Sequence, residues 1–269
     1  MSIVRKNASF RDGKIIYYDT GAGETIILLH GYLESSAVWF DFMPDLAGNF
    51  RVLAIDLPGH GASGIFDDQH SMDFMADVVK EVMNKESIEK AMLAGHSMGG
   101  YVALAFVEKY PSRLHAYSLF HSHPFADTDQ QIKNRKREIK IVESGKKDII
   151  YLVNVTQMFA DFNVERFKEK LELHKEIASG IPAKGIIAVL KGMISRPSRI
   201  KILEKGEVPL LFIFGKHDNY IPFDEIRDRI KMPPNAEIIV LEKTGHLGFV
   251  EEKEKSLAVI MDFYKKQLK

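Results

Sequence analysis

Short apolar runs rich in branched residues alternate along the chain with longer amphipathic segments. After an opening alternation of polar and apolar residues around Lys14 to Tyr18, six such runs are each bounded by Gly, Pro, Asp or His. Runs that are apolar on both faces are typical of parallel strands covered by helices on each side. The pattern therefore predicts buried strands at Thr25–Leu29, Val52–Ile55, Lys90–Ala94, Leu114–Phe120, Leu210–Phe214 and Ile238–Leu241.

The amphipathic segments between these runs predict the covering helices. Ser71 is placed to cap the start of one helix, and Pro111 ends another. The predicted helices are Ser36–Leu46, Ser71–Lys85, Met98–Tyr110 and Phe249–Gln267. Strands and helices in this order predict an α/β fold, a mostly parallel sheet with helices on both faces.

The alternation stops between about Pro124 and Glu207, where helical patterns follow one another and no strand-like run occurs. We interpret residues 124–206 as an inserted helical cap, and residues 1–123 and 207–269 as the core. A basic run from Lys133 to Lys140 is typical of a solvated helix face. The predicted cap helices are Asp127–Ser144, Lys146–Phe159, Val164–Ser179 and Ala183–Ser195.

Composition narrows the class of protein. The 269 residues include 37 Lys or Arg and 37 Asp or Glu, so the net charge is zero and neither nucleic acid nor an anionic membrane is an expected partner. The sequence has no Cys, which excludes disulfides, a thiolate nucleophile and Cys-ligated zinc. Residues 1–14 lack the apolar run of a signal peptide, and no apolar run approaches the roughly 20 residues of a membrane span. We therefore expect a cytoplasmic protein.

The most informative segment, residues 91–101, contains the pattern G-x-S-x-G between an apolar strand and an amphipathic helix. A serine on such a sharp turn has its hydroxyl exposed, and Gly95 and Gly99 leave room where strand and helix approach closely. The start of the helix also favours developing negative charge. The pattern predicts Ser97 as a nucleophile.

A serine nucleophile needs a base to take its proton and a carboxylate to orient that base. Asp218 and His246 each follow a predicted strand, at the sheet edge where Ser97 also lies, and they occur in the order Ser, acid, His. We expect these three residues to form a catalytic triad. Most other histidines, including His96, are assigned to turns or helices without a catalytic partner.

His121 and His123 leave the strand that ends at Phe120, and we expect them to line the substrate pocket. Two histidines at this spacing could also bind a metal, but no third ligand is apparent in the sequence. We therefore expect no metal and no cofactor. Backbone N–H groups of Tyr32 and Met98 are predicted to bind an oxyanion, because one follows an early strand and the other follows the serine.

Taken together, five motifs resemble the α/β-hydrolase superfamily: His30-Gly31-Tyr32, residues 56–63 (DLPGHGAS), residues 95–100 (GHSMGG), residues 215–218 (GKHD) and Gly245-His246. The resemblance spans Gly31 to His246 outside the cap, and it implies a Ser-Asp-His triad and a lid. In some relatives the acid follows the sixth strand, which leaves Asp127 as an alternative to Asp218. A serine at position 97 departs from dehalogenases and epoxide hydrolases, which have aspartate there.

These residues predict hydrolysis of a small carboxylic ester or related acyl compound through an acyl-enzyme. The same triad is similar to that of thioesterases, lactonases, cofactor-free haloperoxidases and carbon–carbon bond hydrolases. A carbon–carbon bond hydrolase would need polar groups for a substrate carboxylate. Arginines of the cap either supply them or lie on the plain surface, the candidates being Arg135, Arg137 and Arg166. A different class, a non-catalytic ligand receptor, would not need an intact triad. Within the cap, the strongest apolar cluster is Met158, Phe159 and Phe162, of which at least one is expected to contact substrate. Oligomeric state is left open.

Overall fold

A computed structural model describes residues 2–268. Eight strands form one sheet in the order β1-β2-β4-β3-β5-β6-β7-β8. All neighbours from β4 to β8 in this order are parallel, whereas β2 is antiparallel to both β1 and β4. The strands are β1 Val4–Phe10, β2 Gly13–Gly21, β3 Thr25–Leu29, β4 Arg51–Ile55, β5 Ala91–His96, β6 Leu114–Phe120, β7 Leu210–Gly215 and β8 Ala236–Leu241.

Helices cover both faces of this sheet. Contacts group α2 with α3 on one face, and α1 with α11 on the other. This arrangement confirms the predicted fold class. The helices are α1 Met43–Ala47, α2 Met72–Lys85, α3 Met98–Lys109, α4 Asp129–Glu143, α5 Lys147–Gln157, α6 Lys168–Ser179, α7 Ala183–Ile194, α8 Ile200–Lys205, α9 Phe223–Arg227, α10 Gly248–Glu251 and α11 Lys253–Gln267.

The six predicted strands are present, each within about two residues of its expected bounds. Every residue of β3, β5 and β7 is buried, as continuous apolar runs require. The chain also forms β1, which was not predicted. This strand lies at the edge of the sheet, and only Ala8 among its residues is fully buried, so its sequence has little apolar signal.

Two predicted helices are each divided. In place of one helix over Ser36–Leu46, a short 3-10 helix at Ser36–Trp39 is followed by α1, because Pro44 lacks an N–H and is tolerated only in a first helical turn. The C-terminal helix is interrupted at Glu252, which has a non-helical φ of −131°. Its carboxylate accepts hydrogen bonds from Lys243 N–H and the Thr244 hydroxyl, each at 2.7 Å, so a tertiary contact holds the break.

The segment between β6 and β7 contains five helices, α4 to α8, and no strand. The hydroxyl of Thr128 accepts the N–H of Gln131, whose side chain accepts the Thr128 N–H in turn, and this capping box starts α4 two residues later than predicted. The helix expected from Val164 begins at Lys168, after a 3-10 turn at Asp161–Asn163. Helix α8 was not predicted.

Within residues 2–268, no individual helix has the length and apolar character needed to cross a bilayer. The helices α6 and α7 meet the length and composition criteria only as a pair, which is bent by 96°.

Candidate active site

Ser97 lies on the turn between β5 and α3, in a backbone conformation that L-residues rarely adopt, with φ 48° and ψ −113°. A side chain at Gly95 would collide with the backbone of Gly99, and one at Gly99 would collide with the carbonyl of Leu29. The turn is held from the neighbouring strand, since Ser97 N–H donates to Phe120 O at 2.9 Å. The Ser122 hydroxyl donates to Ser97 O at 2.7 Å. These contacts present the Ser97 side chain at the carboxyl edge of the sheet.

Asp218 and His246 are hydrogen-bonded to each other beside Ser97. Nδ1 of His246 lies 2.8 Å from Oδ2 of Asp218, and both side chains are buried. Because an ionised carboxylate can only accept, the Nδ1 atom carries the proton and Nε2 is left as an acceptor. The structure therefore gives His246 the tautomer that a general base requires.

His121 is a second imidazole at the same carboxylate. Gly248 N–H donates to its Nε2 at 3.0 Å, so the ring proton is on Nδ1, which lies 3.2 Å from Asp218 Oδ2. Burial lowers the pKa of His121 to about 4, which keeps this ring neutral. In this group the contact between His246 and Asp218 is a hydrogen bond, whereas Nδ1 of His121 lies near the carboxylate without hydrogen-bond geometry. The three side chains place their ligand atoms within 4.8 Å of one another, so Asp218 and His246, and not His123, are the residues that accompany His121 in a possible metal-ligand set.

The other oxygen of Asp218 accepts two backbone N–H groups, from Tyr220 at 2.8 Å and from Ile221 at 2.9 Å. Burial alone would raise the pKa of this carboxyl. The charge and hydrogen bond of His246, together with the nearby Nδ1 of His121, outweigh burial and hold the pKa of Asp218 well below its usual range. Asp218 is thus a fixed negative charge.

Ser97 and His246 open onto a cavity of about 190 Å³ beneath the helical segment. Tyr32 from the loop after β3 and Tyr220 from the loop after β7 also line it. Four polar side chains of α4 form much of its roof, at the helical spacing i, i+3, i+4, i+7; they are Gln131, Asn134, Arg135 and Glu138. The remaining wall consists of Tyr101, His123, Asn154, Met158, Met193 and Ile221.

The structure divides the residues expected to contact substrate. His123 and Met158 line the cavity. His121 does not, because its ring is turned under the sheet edge toward Asp218. Phe159 is fully buried, with its ring 6.0 Å from that of His174. Phe162 is 58% exposed and packs against His217 on the outer surface. The pocket assignments of His121, Phe159 and Phe162 are thereby corrected.

The two backbone N–H groups proposed from the sequence to bind an oxyanion are on Tyr32 and Met98. Met98 is the first residue of α3, where helical N–H groups have no intrahelical acceptor. Within the described part of the chain, neither N–H donates to another protein group. The segment before Tyr32 is fixed from both sides, since Gly31 O accepts from His30 Nδ1 at 2.8 Å and Gly31 N–H donates to Glu34 at 2.6 Å.

Asp127 is not placed to orient His246, which was the alternative role considered for it from the sequence. It accepts from Arg135 Nε at 2.6 Å and from Arg196 at 2.7 Å, and it makes no contact with His246. Arg196 also stacks 3.9 Å above the ring of Tyr101 at the cavity wall. Asp127 therefore neutralises arginines next to the cavity.

Glu138 places a carboxyl group in the roof of the cavity. It accepts a hydrogen bond from the Tyr32 hydroxyl at 3.2 Å. Burial raises its pKa, and the neighbouring Arg135 opposes this rise only in part. With Arg135 and Arg196 positive, and Asp127 and Glu138 negative, the charges around the cavity balance.

Comparison with known proteins agrees with this architecture. The family model for the alpha/beta hydrolase fold matches residues 24–140. A solved thermophilic esterase from Thermogutta terrifontis superposes with a TM-score of 0.92 at 26% identity, covering 99% of both chains. The chain has the fold of the α/β-hydrolase superfamily, and its matched segment is similar in sequence to that family.

Curated relatives of this α/β-hydrolase include enzymes with different named reactions. A 2-hydroxy-6-oxononadienedioate/2-hydroxy-6-oxononatrienedioate hydrolase from Paraburkholderia phymatum is 27% identical, covering 93% of this chain and 90% of the relative. A pimeloyl-[acyl-carrier protein] methyl ester esterase from Aeromonas hydrophila is 25% identical, covering 90% and 96%. The protein is accordingly a hydrolytic enzyme.

Sequence reasoning missed the polar roof of the hydrolase cavity. The basic run was interpreted as solvated, and Lys133, Lys136 and Arg137 are exposed as that interpretation requires. Arg135 belongs to the other face of the same helix, together with the three other roof residues. The sequence did contain a signal for this roof, because α4 has polar side chains on both of its faces, including one set at the spacing i, i+3, i+4 and i+7.

Proposed function

We propose that this α/β-hydrolase cleaves a small, uncharged carboxylic ester, with Ser97 as nucleophile, His246 as general base and Asp218 as the orienting acid. The observation that carries the proposal is the Asp218–His246 hydrogen bond at 2.8 Å beside a serine held at positive φ. Residues 124–206 would form the lid that selects the substrate, and residues 1–123 and 207–269 the catalytic core.

In the first half-reaction, Ser97 Oγ attacks the ester carbonyl carbon while His246 Nε2 takes the hydroxyl proton. The carbonyl oxygen becomes an anion, which the N–H groups of Tyr32 and Met98 stabilise. When the carbonyl re-forms, the C–O bond to the alcohol breaks. The alcohol leaves with the proton from His246, and the acyl group remains on Ser97.

In the second half-reaction, water attacks the acyl carbon and gives a proton to His246. The second oxyanion collapses, the bond to Ser97 Oγ breaks, and the proton returns to the serine. The products are a carboxylic acid and an alcohol. Throughout, the Asp218 carboxylate stabilises the imidazolium without taking its proton.

The balanced charges of the cavity favour an uncharged ester. Arg135 lies at the wall, but it is paired with Asp127 and adjoins the carboxyl of Glu138. An anionic substrate would therefore meet no excess positive charge. The volume of about 190 Å³ is below the range of roughly 300–1,000 Å³ that is typical of sites for drug-sized ligands.

A carbon–carbon bond hydrolase is the second candidate, because Arg135 lines the cavity and the relative from Paraburkholderia phymatum is named for such a dioate substrate. The two other arginines considered for this role are elsewhere. Arg137 is exposed, and Arg166 stacks on Phe167 at 5.0 Å. A single, already paired arginine is a weaker anchor for a dianion.

The decisive experiment measures fluorophosphonate labelling by intact mass, followed by turnover on a substrate panel. Wild type should gain one label, and Ser97→Ala should gain none while keeping its melting temperature. The panel contains neutral esters of graded acyl length, a thioester, a lactone and a vinylogous diketone acid. Absence of labelling in wild type would favour a non-catalytic receptor, and preference for the diketone acid would favour the second candidate.

A further inference from the structure

A second buried charge pair lies behind the candidate active site, between Glu34 and His96. Nδ1 of His96 is 2.9 Å from Oε2 of Glu34, and neither side chain is more than 1% exposed. The two residues are 62 positions apart in the sequence. The triad does not include this pair, although His96 immediately precedes Ser97.

Counting protons shows that the pair shares an ionisable proton. Nε2 of His96 lies 2.8 Å from the carbonyl oxygen of His246, which can only accept, so Nε2 carries a hydrogen. The Nδ1 atom then faces a carboxyl oxygen that already accepts Gly31 N–H at 2.6 Å. Either His96 is an imidazolium beside a carboxylate, or Glu34 holds the proton. The backbone N–H of Gly31, a further donor at the same oxygen, favours the ionised carboxylate.

Apart from Asp218, whose negative charge also raises the pKa of His96, the polar groups around the pair are neutral histidines. His30 is neutral, since Leu57 N–H donates to its Nε2 at 3.0 Å and burial lowers its pKa. His174, whose Nδ1 is 4.0 Å from the other oxygen of Glu34, has its pKa lowered by burial to about 4. The rings of Trp39, Phe120 and Phe249 cover His96 on its remaining sides, and those of His121 and His246 lie 6.1 Å and 4.9 Å away.

The pair joins three loops that the proposed mechanism uses. Glu34 holds the Gly31 amide, one residue before the Tyr32 N–H that would bind the oxyanion. His96 belongs to the turn that presents Ser97 and donates to the backbone of His246. In this way one imidazole connects the oxyanion loop with the turn of the nucleophile and the loop of the base.

We propose that His96, protonated and paired with Glu34, is a positioning residue that fixes the Tyr32 amide relative to Ser97 and His246. This role rests on the proposed function. It concerns geometry in the transition state, since the oxyanion bond from Tyr32 forms only when the carbonyl oxygen becomes charged. Substrate binding does not depend on that bond.

The test variant is Glu34→Gln, which keeps the shape of the side chain and removes the charge. A glutamine oxygen in the position of Oε2 satisfies Gly31 N–H but leaves His96 without a charged partner. A glutamine nitrogen there bonds to His96 but opposes Gly31 N–H. We expect kcat to fall by about 10- to 100-fold with KM little changed, less than the loss of a whole oxyanion donor. The matched control is His174→Gln, which alters the same buried cluster without a hydrogen-bonded partner, and its kcat should stay within about twofold.

Nitrogen NMR of the wild-type protein labelled in its histidines supplies a readout that a purely structural role would not move. At pH 6.5, His96 should give the signature of an imidazolium with two N–H groups, because Glu34 raises its pKa above that value, and Glu34→Gln should convert it to a neutral ring. Assignment uses His96→Gln. A neutral His96 in wild type at this pH would refute the proposal, whatever the kinetics of the variants.

Two kinetic outcomes would also overturn the role. One is an unchanged kcat in folded Glu34→Gln, and the other is an equal loss in Glu34→Gln and His174→Gln, which would indicate general packing. Fluorophosphonate labelling of wild type separates these results from a failure of the proposed function. An unlabelled and inactive wild type would refute both, whereas a labelled wild type with either kinetic outcome refutes the positioning role alone.

Discussion

Oδ2 of Asp218 lies 2.8 Å from Nδ1 of His246, whereas Asp127 is bound to two arginines and does not reach this ring. The same hydrogen bond fixes the tautomer of the base. The identity of the acid can therefore be tested by two matched substitutions.

Asp218→Asn should lower kcat by about 10⁴-fold, because an amide can present a donor to His246 and favour the wrong tautomer. Asp127→Asn should leave Arg135 and Arg196 without a charged partner. Its main effect should therefore be a lower melting temperature, with only a small change in kcat. Steady-state kinetics and thermal unfolding on both proteins measure this. A greater loss of kcat in Asp127→Asn would mean that the acid has been misassigned.

Alanine substitutions in the apolar cluster of the helical segment should have three different effects. Met158→Ala enlarges the cavity, so the preferred acyl length of the ester panel should shift toward longer chains. Phe159→Ala empties a fully buried site and should cost about 3–5 kcal/mol of stability with an unchanged length profile. Phe162→Ala, at an exposed site, should change neither property. If Phe162→Ala altered the preferred acyl length and Met158→Ala did not, the positions assigned to these two side chains, on the outer surface and in the cavity wall, would be contradicted.

The central sheet could be predicted from the sequence because its strands are continuous apolar runs with turn residues at their ends. The same reasoning placed Ser97, Asp218 and His246 at one sheet edge, since each follows a strand, and the structure brings them together there. Strand β1 gave little signal, because an edge strand exposes most of its side chains. The division at Pro44 was available in the sequence but was overlooked.

Contacts between distant positions could not be predicted. Nothing near His96 indicates that Glu34 faces it, and the ring looked like part of a glycine-rich turn. The exposed position of Phe162 likewise depends on how the helical segment folds back, which local periodicity does not determine. Single-sequence patterns locate elements and their ends, while pairings between remote side chains require the fold.

Glu138 should influence the charge preference of the enzyme. Glu138→Gln removes a negative group from the cavity roof, so kcat/KM for an ester with a carboxylate on its acyl chain should rise relative to a neutral ester of equal length. The expected change is about fivefold, corresponding to about 1 kcal/mol of charge repulsion. The control is Glu143→Gln, an exposed site on the same helix. An equal or larger change in Glu143→Gln would mean that the charge preference arises from the overall electrostatic potential of the protein surface and not from Glu138.

The Glu34–His96 pair predicts a specific dependence of stability on pH. Burial alone would raise the pKa of Glu34, but the charge and hydrogen bond of His96 lower it to about 2. The stability that Glu34 contributes is therefore complete above its ordinary value of 4.5 and is lost as pH falls toward 2. Burial alone would lower the pKa of His96, but Glu34 raises it above 6.5, so its contribution is complete below 6.5 and is lost as pH rises through the raised pKa.

The pair should accordingly stabilise the fold most between about pH 4.5 and 6.5. Urea unfolding of wild type and Glu34→Gln across a pH series measures the gap in the free energy of unfolding. We expect the gap to be widest in this window and to narrow on both sides. If the difference in the free energy of unfolding were constant from pH 4 to pH 9, folding would not change the pKa values of this pair.

The chain leaves the sheet after β6 and returns to it at β7, and these two strands are direct neighbours, with Tyr117 opposite Leu210 and Phe120 opposite Ile213. Five helices are thus attached through two points on adjacent strands. A transplant of this segment from another superfamily member would meet the same pair of attachment points and leave the strand order intact. Divergence in what the enzyme accepts can proceed by exchange of one contiguous stretch of gene, without repacking of the sheet that holds Ser97 and His246.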